Sequence, residues 1–452
     1  MTVPATGTEG RATPYPSTIF VSGVAGRIGD VSVTLNRLSH ADTRDVDILL
    51  VAPDGARMIL LSDAGTGHVV DSTITLSDQA LTLVPLGPLT SSRYRPTNHN
   101  PPGAPGDMFP APAPAIVADD APAPAGTATF ASKFGGHNAN GTWSLYVVDD
   151  IGGGTGGISG GWSLTITQAA PATAGQLIIS EFRLRGEDEF VEIYNASGRA
   201  HVVAALSGAG YGVASSDGAT RCSIPNRTVI PAGGHYLCSS GPTFTLVDYP
   251  EACCDNNGLR NIPDTAGIAI FNNDTGGASY SLANRLDAVG PATETNTLYK
   301  EGAGYPLTTA YDYFALTRRP PGGCSGGVPG NCTSAQQYKT TPPVWLTAPA
   351  DTNDNGSDFI FVEANGPNRL GAPAPQSTRS PVVRDGTPTL TMPKLDSCSA
   401  TEAAPNFTRS HRPDPANHST FGTLSIRRNV YNTTGTTTVS YTHLTLPTNR
   451  EV

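Results

Sequence analysis

The sequence predicts an all-β protein, with two sandwich domains and a third β-domain that is cut short, on three observations. Short runs of alternating apolar and polar residues recur along the chain, as in half-buried strands. Fifty glycines and 39 prolines interrupt those runs, which favours short strands and long loops over helices. No long stretch repeats its apolar residues at the helical period.

The clearest runs lie in Asn140–Thr167, NGTWSLYVVDDIGGGTGGISGGWSLTIT. Trp143, Leu145 and Val147 share one face of the first; Trp162, Leu164 and Ile166 share one face of the second. The spacing predicts an antiparallel strand pair that closes a β-sandwich. Its connector, Asp149–Gly161, is acidic and glycine-rich and reads as a loop too polar to bury.

Earlier strands are expected at Ile19–Val24, Asp30–Leu38, Asp45–Val51, Met58–Leu61, Asp71–Leu76 and Leu81–Val84. Val46, Ile48 and Leu50 fall on one face of the third of these, and APDG at 52–55 is a turn. Tyr94–Gly126 is rich in Pro and Ala without periodicity and reads as a long surface loop. Beyond a linker at 169–175, QLIISEFRLRGEDEFVEIYNAS opens a second alternating region. Gly233–Cys238 and Gly267–Phe271 continue it. After a linker at 372–386, Leu424, Ile426 and Val430 suggest a strand pair with its turn at Asn432–Gly435.

The chain has 452 residues, enough for two or three domains with their own cores. A net charge of −10 argues against a nucleic-acid surface, and no apolar run is long enough to span a membrane as a helix. Met1–Gly10 has no basic-then-apolar leader, so either the chain is cytoplasmic or this is not the native start.

Two sequence resemblances give these regions an identity. IFVSGVAGRIGDVSVTLNRLSHADTRDVDILLVAPDGARMILLSDAGTG, followed by GTWSLYVVDD and GGWSLTI, resembles the P domain of the proprotein-convertase family. The likeness covers residues 18–168, after a linker at 1–17, and implies a jelly-roll sandwich that supports a neighbouring subtilisin-like serine endopeptidase domain. The order ISE, EFVEIYN, IPAGGHYL, GIAIF, DTNDNGSDF is similar to the bacterial lamin tail domain. It covers residues 176–371 and implies an immunoglobulin-like sandwich with a targeting or tethering role. Residues 387–438 look like the start of a β-domain of large bacterial surface proteins, and 439–452 are set apart from it. There VSYTHLTLPT is similar to the in-frame translation of a transposase adapter used in sequencing libraries.

Calcium is the only cofactor expected. Asp45, Asp47, Asp63, Asp149 and Asp150 stand where sandwich-end loops bring acids together, as bacterial P-domain sandwiches do for calcium. The alternative places Asp45 and Asp47 on a solvent face and makes Asp149–Asp150 a turn. Asp351, Asn353, Asn355 and Asp358 match the opening of a calcium loop, with Gly356 at the sharp turn. Val362 stands where that loop needs its bidentate Glu, so a set of Asx turns is the other reading.

Cys324 with Cys332 is the first disulfide expected and Cys222 with Cys238 the second. Glu181, Glu192 and Asn195 read as a solvent-facing parity ending in an Asn turn, in preference to a ligand patch. Ser325 completes a formal G-x-S-x-G, but it lies among prolines without a following helix and reads as a loop residue. Subtilisin-like Asp, His and Ser blocks do not occur in this chain, and the histidines lack zinc spacing.

The expectation is therefore a secreted or cell-surface, non-catalytic region. Its partner is a catalytic protease domain preceding Met1, which it positions, or a cell-surface component. The alternative is an adhesive or structural surface protein that never carried a protease. What precedes Met1 separates the two.

Overall fold

The computed structural model describes residues 1–100, 107–184, 189–240, 255–306, 314–318, 349, 351–363, 375–380, 382, 406–410 and 423–427. Its regular structure is almost entirely β, with short helices at Phe130–Phe134 and Asn355–Asp358. The chain forms two compact units. The first is Met1–Ala172 with Arg199–Leu206 and Pro225–Ile230; the second comprises Thr173–Gly198, Ser207–Ile224 and Pro231–Val452.

Two six-stranded sheets form the body of the first unit, which also holds the short pair His201–Val202 and Val229–Ile230. One is centred on Ile28–His40, which pairs with Val69–Ser77, Gly156–Ile158 and Trp162–Gln168. The other is centred on Gly141–Asp149, which pairs antiparallel with Ser17–Val21, Gly10–Arg11 and Val46–Val51. Inward residues of both sheets form one core. Val31, Val33 and Leu35 come from the first sheet; Val46, Ile48, Leu50, Trp143, Leu145 and Val147 come from the second. Trp143 has no exposed surface, donates its indole N–H to the Ala139 carbonyl at 2.9 Å, and meets Phe134 edge-on at 5.3 Å.

The spacing predicts that the two tryptophan strands pair with each other, and the structure corrects this. Trp143 lies in one sheet and Trp162 in the other. The connector is long enough to cross the sandwich edge, and it is not wholly polar loop. Gly156–Ile158 adds a strand to the first sheet, and Ile158 and Asp149 are fully buried. Trp162 donates to Ser17 Oγ at 3.0 Å, a bond that joins the two sheets.

The Pro/Ala-rich segment covers the outer face of the second sheet instead of running free over the surface. Phe109, Ala113, Ile116 and Ala121 pack on Leu49, Ile59 and Tyr146. This explains why Val46–Leu50 is buried on both parities, contrary to a one-faced strand. The expected strand at Leu81–Val84 does not form. Ser92–Tyr94 pairs with Val69–Ser77 instead, the 81–84 segment makes only a single bridge, Leu83 to Arg95, and Leu81 is 94% exposed.

The second unit pairs a five-stranded sheet with a four-stranded one. The first runs His235–Ser239, Phe190–Asn195, Leu177–Arg183, Phe314–Arg318, Phe359–Glu363; the second runs Thr220–Pro225, Gly210–Ser215, Ile268–Phe271, Arg285–Val289. Phe182 packs against Tyr305 and Phe359, and Phe271 stacks on Tyr280 at 4.1 Å. Leu177–Arg183 and Phe190–Asn195 are buried throughout. Glu181, Glu192 and Asn195 therefore do not face solvent. Burial of Glu192 is tolerated because the Ser180 hydroxyl and the Gln376 amide donate to its carboxylate and His235 lies 3.6 Å away.

Cys222 and Cys238 form a disulfide that links the edge strands Thr220–Pro225 and His235–Ser239, and so pins the two sheets together. Cys324, Cys332 and Ser325 lie outside the described residues. Replacing both bridged cysteines by serine releases a loop of sequence separation 16. The expected cost is about 3 kcal/mol, read from denaturant unfolding of the double variant beside the oxidised parent. A loss below about 1 kcal/mol would show that the sheets are held without the bridge.

Thr423–Arg427 pairs antiparallel with the upstream Asn406–Ser410. The turn expected at Asn432–Gly435, and the adapter-like 439–452, lie outside the described residues.

Candidate metal centre

At one end of the first unit, four of the expected aspartates share an electrostatic neighbourhood. Asp45 ends the short turn Thr43–Asp45 and Asp47 is the second residue of Val46–Val51, opposite Val148. Asp150 follows the neighbouring strand and donates its amide to the Asp45 carbonyl at 2.9 Å. Asp63 follows Arg57–Ser62 with a left-handed φ of 51°. Asp107 joins them from the Pro/Ala-rich segment. The Ser62 hydroxyl donates to Asp107 at 2.8 Å and to Asp63 at 3.2 Å, and Asn98 donates to Asp107 at 2.7 Å.

Asp45 and Asp47 are not solvent-facing, Asp63 and Asp107 are half-buried, and Asp150 is exposed. Asp45 is 8% and Asp47 2% exposed, and Oδ2 of Asp47 is buried without a hydrogen-bond partner. Burial first, then the charges of Asp107 and Asp150, push the Asp47 carboxyl far above its usual range. Asp150 is pushed up to about 6 by burial and then by Asp63 and Asp45. Asp63 and Asp45 rise for the same two kinds of reason.

Asp149 is set apart from this group. Its carboxylate bonds His40 Nε2 at 3.0 Å and the Ile151 amide. His40 Nδ1 lies 2.5 Å from the Asp42 carbonyl, so both ring nitrogens are engaged and neither is placed to serve a nucleophile.

A folded-state pKa above the unfolded one stabilises at low pH, and that stability is lost as pH rises through the folded value. For Asp150 the window runs from its ordinary 3.8 up to about 6. Asp47 acts in the same direction. In chelator, the melting temperature of the first unit should fall between about pH 4 and about pH 6, with Asp47 extending the fall upward. Trp143 and Trp162 report the transition. A flat or rising profile contradicts this.

The loop at 351–358 is organised differently from a calcium loop. Asn355 is fully buried; its Oδ1 accepts the amides of Gly290 and Glu301, and its Nδ2 donates to the Ala288 carbonyl. Asp354 accepts the amides of Gly356 and Ala303 and the Ser357 hydroxyl, capping the short helix. Asn353 is exposed, with a left-handed φ of 58°. Asp358 accepts the amide and hydroxyl of Thr352. Asp351 and Asp358 also receive Arg318 Nη1, at 2.9 and 3.0 Å. Asn353 and Asn355 thus serve backbone and solvent, and a guanidinium sits where the loop reading places an ion.

Arg318 also donates Nη2 to Asp287 at 2.6 Å and Nε to the Ile179 carbonyl at 2.8 Å. Glu301 completes this cluster. Burial, then Asp287 and Asp351, push its carboxyl up to about 8. One oxygen from each of Asp287, Glu301 and Asp351 lies within 4.8 Å of the other two, the tightest acidic group among the described residues.

Sequence reasoning missed Asp107, Asp287, Glu301 and Arg318. Asp287 carried a signal, an acid inside the apolar run Leu286–Val289. Asp107, Glu301 and Arg318 carried none, since their neighbours in space are distant in sequence.

No family model, no curated protein and no solved structure matches this chain. No helix among the described residues is long and apolar enough to cross a membrane.

Proposed function

We propose that this chain is a non-catalytic accessory region of a secreted bacterial protein, positioned beside a subtilisin-like serine endopeptidase domain that precedes Met1. Its first unit acts as a calcium-stabilised, P-domain-like sandwich and its second as a lamin-tail-like tether. One observation carries the reading. The blocks that resemble a P domain fall, in order, on Ser17–Val21, Ile28–His40, Val46–Val51, Arg57–Ser62, Gly141–Asp149 and Trp162–Gln168, the strands around one core. A block order preserved across a whole core is difficult to produce by composition alone.

The test starts at the source locus. If subtilisin-like Asp, His and Ser blocks lie upstream, that catalytic domain is expressed with and without residues 18–168. Active protease should be recovered in quantity only with the sandwich attached. Equal recovery without it, or a leader running straight into residue 18, overturns the reading.

Calcium is the proposed ion for Asp45, Asp47, Asp63, Asp107 and Asp150, where an unpartnered buried oxygen and mutual repulsion favour a divalent cation. Calcium at a hundredfold over its Kd should stabilise the first unit by about 2.7 kcal/mol. Asp47→Asn should melt higher than the parent in chelator and lose the calcium response. A melt unchanged between chelator and calcium sinks the assignment.

A further inference from the structure

We propose a second divalent-cation site, in the second unit, formed by Asp287, Glu301 and Asp351 beside Arg318. One oxygen from each carboxylate lies within 4.8 Å of the others. Oxygens bound to a single calcium at 2.3–2.6 Å lie within about 5 Å of one another.

Charge and hydrogen bonding point the same way. Arg318 meets Asp287, Asp351 and Asp358, and Arg285 meets Glu301 Oε1 at 2.9 Å. Fully ionised, the four carboxylates outnumber these two cations by two in a place where Asp287 and Glu301 are 1% and 6% exposed, and burial pushes the Glu301 carboxyl up to about 8, so without an ion a proton takes part of that excess. Asp354, the remaining acid of that loop, is answered by backbone amides and Ser357. Two uncompensated buried charges are expensive, and a divalent cation cancels them.

The second observation is Glu301 Oε2, which is buried and receives no N–H or hydroxyl from a described residue, while Oε1 is held by Arg285. Without an ion, the Glu301 and Asp287 carboxyls hydrogen-bond each other only if one of them holds a proton, which a cation would displace. The other groups are oriented and largely satisfied. Asp287 takes the amides of Ile179 and Ala288, and Asp351 takes the amide of Asn353. The Asp351 side chain is 18% exposed, against 0% for Arg318, so the group opens to solvent on the Asp351 side. All the donors are hard oxygens, so calcium is the expected ion and magnesium the competitor.

The experiment counts bound ions on the full chain, stripped with chelator and titrated calorimetrically with calcium chloride. Four proteins are compared: the parent, Glu301→Gln, Asp47→Asn and the double variant. Glu301→Gln should lose one ion per chain and keep the response of the first unit. Asp47→Asn should keep the ion lost in Glu301→Gln, so failure of either site is read separately. Terbium offers a second readout, since Tyr299 and Tyr305 lie close in sequence to Glu301 and should sensitise its emission; Glu301→Gln should abolish that component. Identical stoichiometry and emission in parent and Glu301→Gln overturns the site. So does a parent that binds no ion there while Glu301→Gln melts higher than the parent, because a proton on Glu301 then does the neutralising.

Discussion

Arg318→Ala is expected to cost the second unit about 3–5 kcal/mol, because it removes one cation from among several buried acids. Arg318 has no exposed side-chain surface and bonds Asp287, Asp351 and Asp358 at 2.6, 2.9 and 3.0 Å. Burial works against its charge, but those carboxylates outweigh the penalty and raise its pKa. Its guanidinium also lies 4.7 Å from the centre of the Phe359 ring and donates to the Ile179 carbonyl. Removal leaves Asp287, itself 0% exposed at the side chain, without a cation.

Lysine cannot reproduce this planar fork, so Arg318→Lys should lose most of the same stability. Adding Asp287→Asn to Arg318→Met should recover part of it, since the second change removes the stranded charge. The measurement is the denaturant midpoint with its slope, followed by far-ultraviolet circular dichroism. A loss below about 1 kcal/mol for Arg318→Ala would mean that water or an ion already screens the cluster.

Trp143→Ala should cost the first unit about 3–5 kcal/mol. The ring is fully buried between the sheets, against Phe134, with its N–H satisfied by the Ala139 carbonyl. Truncation opens a cavity between two sheets that the Trp162–Ser17 bond still ties together, so the gap cannot close freely. Trp143→Phe keeps most of the volume and should lose roughly half as much, because it strands the Ala139 carbonyl and leaves a smaller void. Trp162 emission remains to follow the transition. An alanine variant within about 1 kcal/mol of the parent would refute the view that this ring anchors the core.

The two predictions sit at opposite ends of what a sequence exposes. Trp143, Leu145 and Val147 alternate in plain view, and the structure buries that parity. Asp45, Asp47, Asp63 and Asp150 were legible as a set because each lies beside a strand end. Asp107 was not, because an aperiodic segment delivers it. Arg318 looks like any exposed base in TRRP, and only the approach of Asp287, Asp351 and Asp358 makes it the cation of a buried cluster.

By itself the sequence determined the all-β class, the positions of most strands and the inward parity of the first core. Those follow from local period and turn chemistry, which a short window contains. Only the tertiary structure decided that the two tryptophan strands belong to opposite sheets, and that the Pro/Ala segment buries the second face of Val46–Val51. It also decided that Glu192 and Asn195 lie inside. Sheet membership and the coverage of an outer face depend on which distant segments meet. A period of two says only that the faces differ, and not what comes to lie against each one.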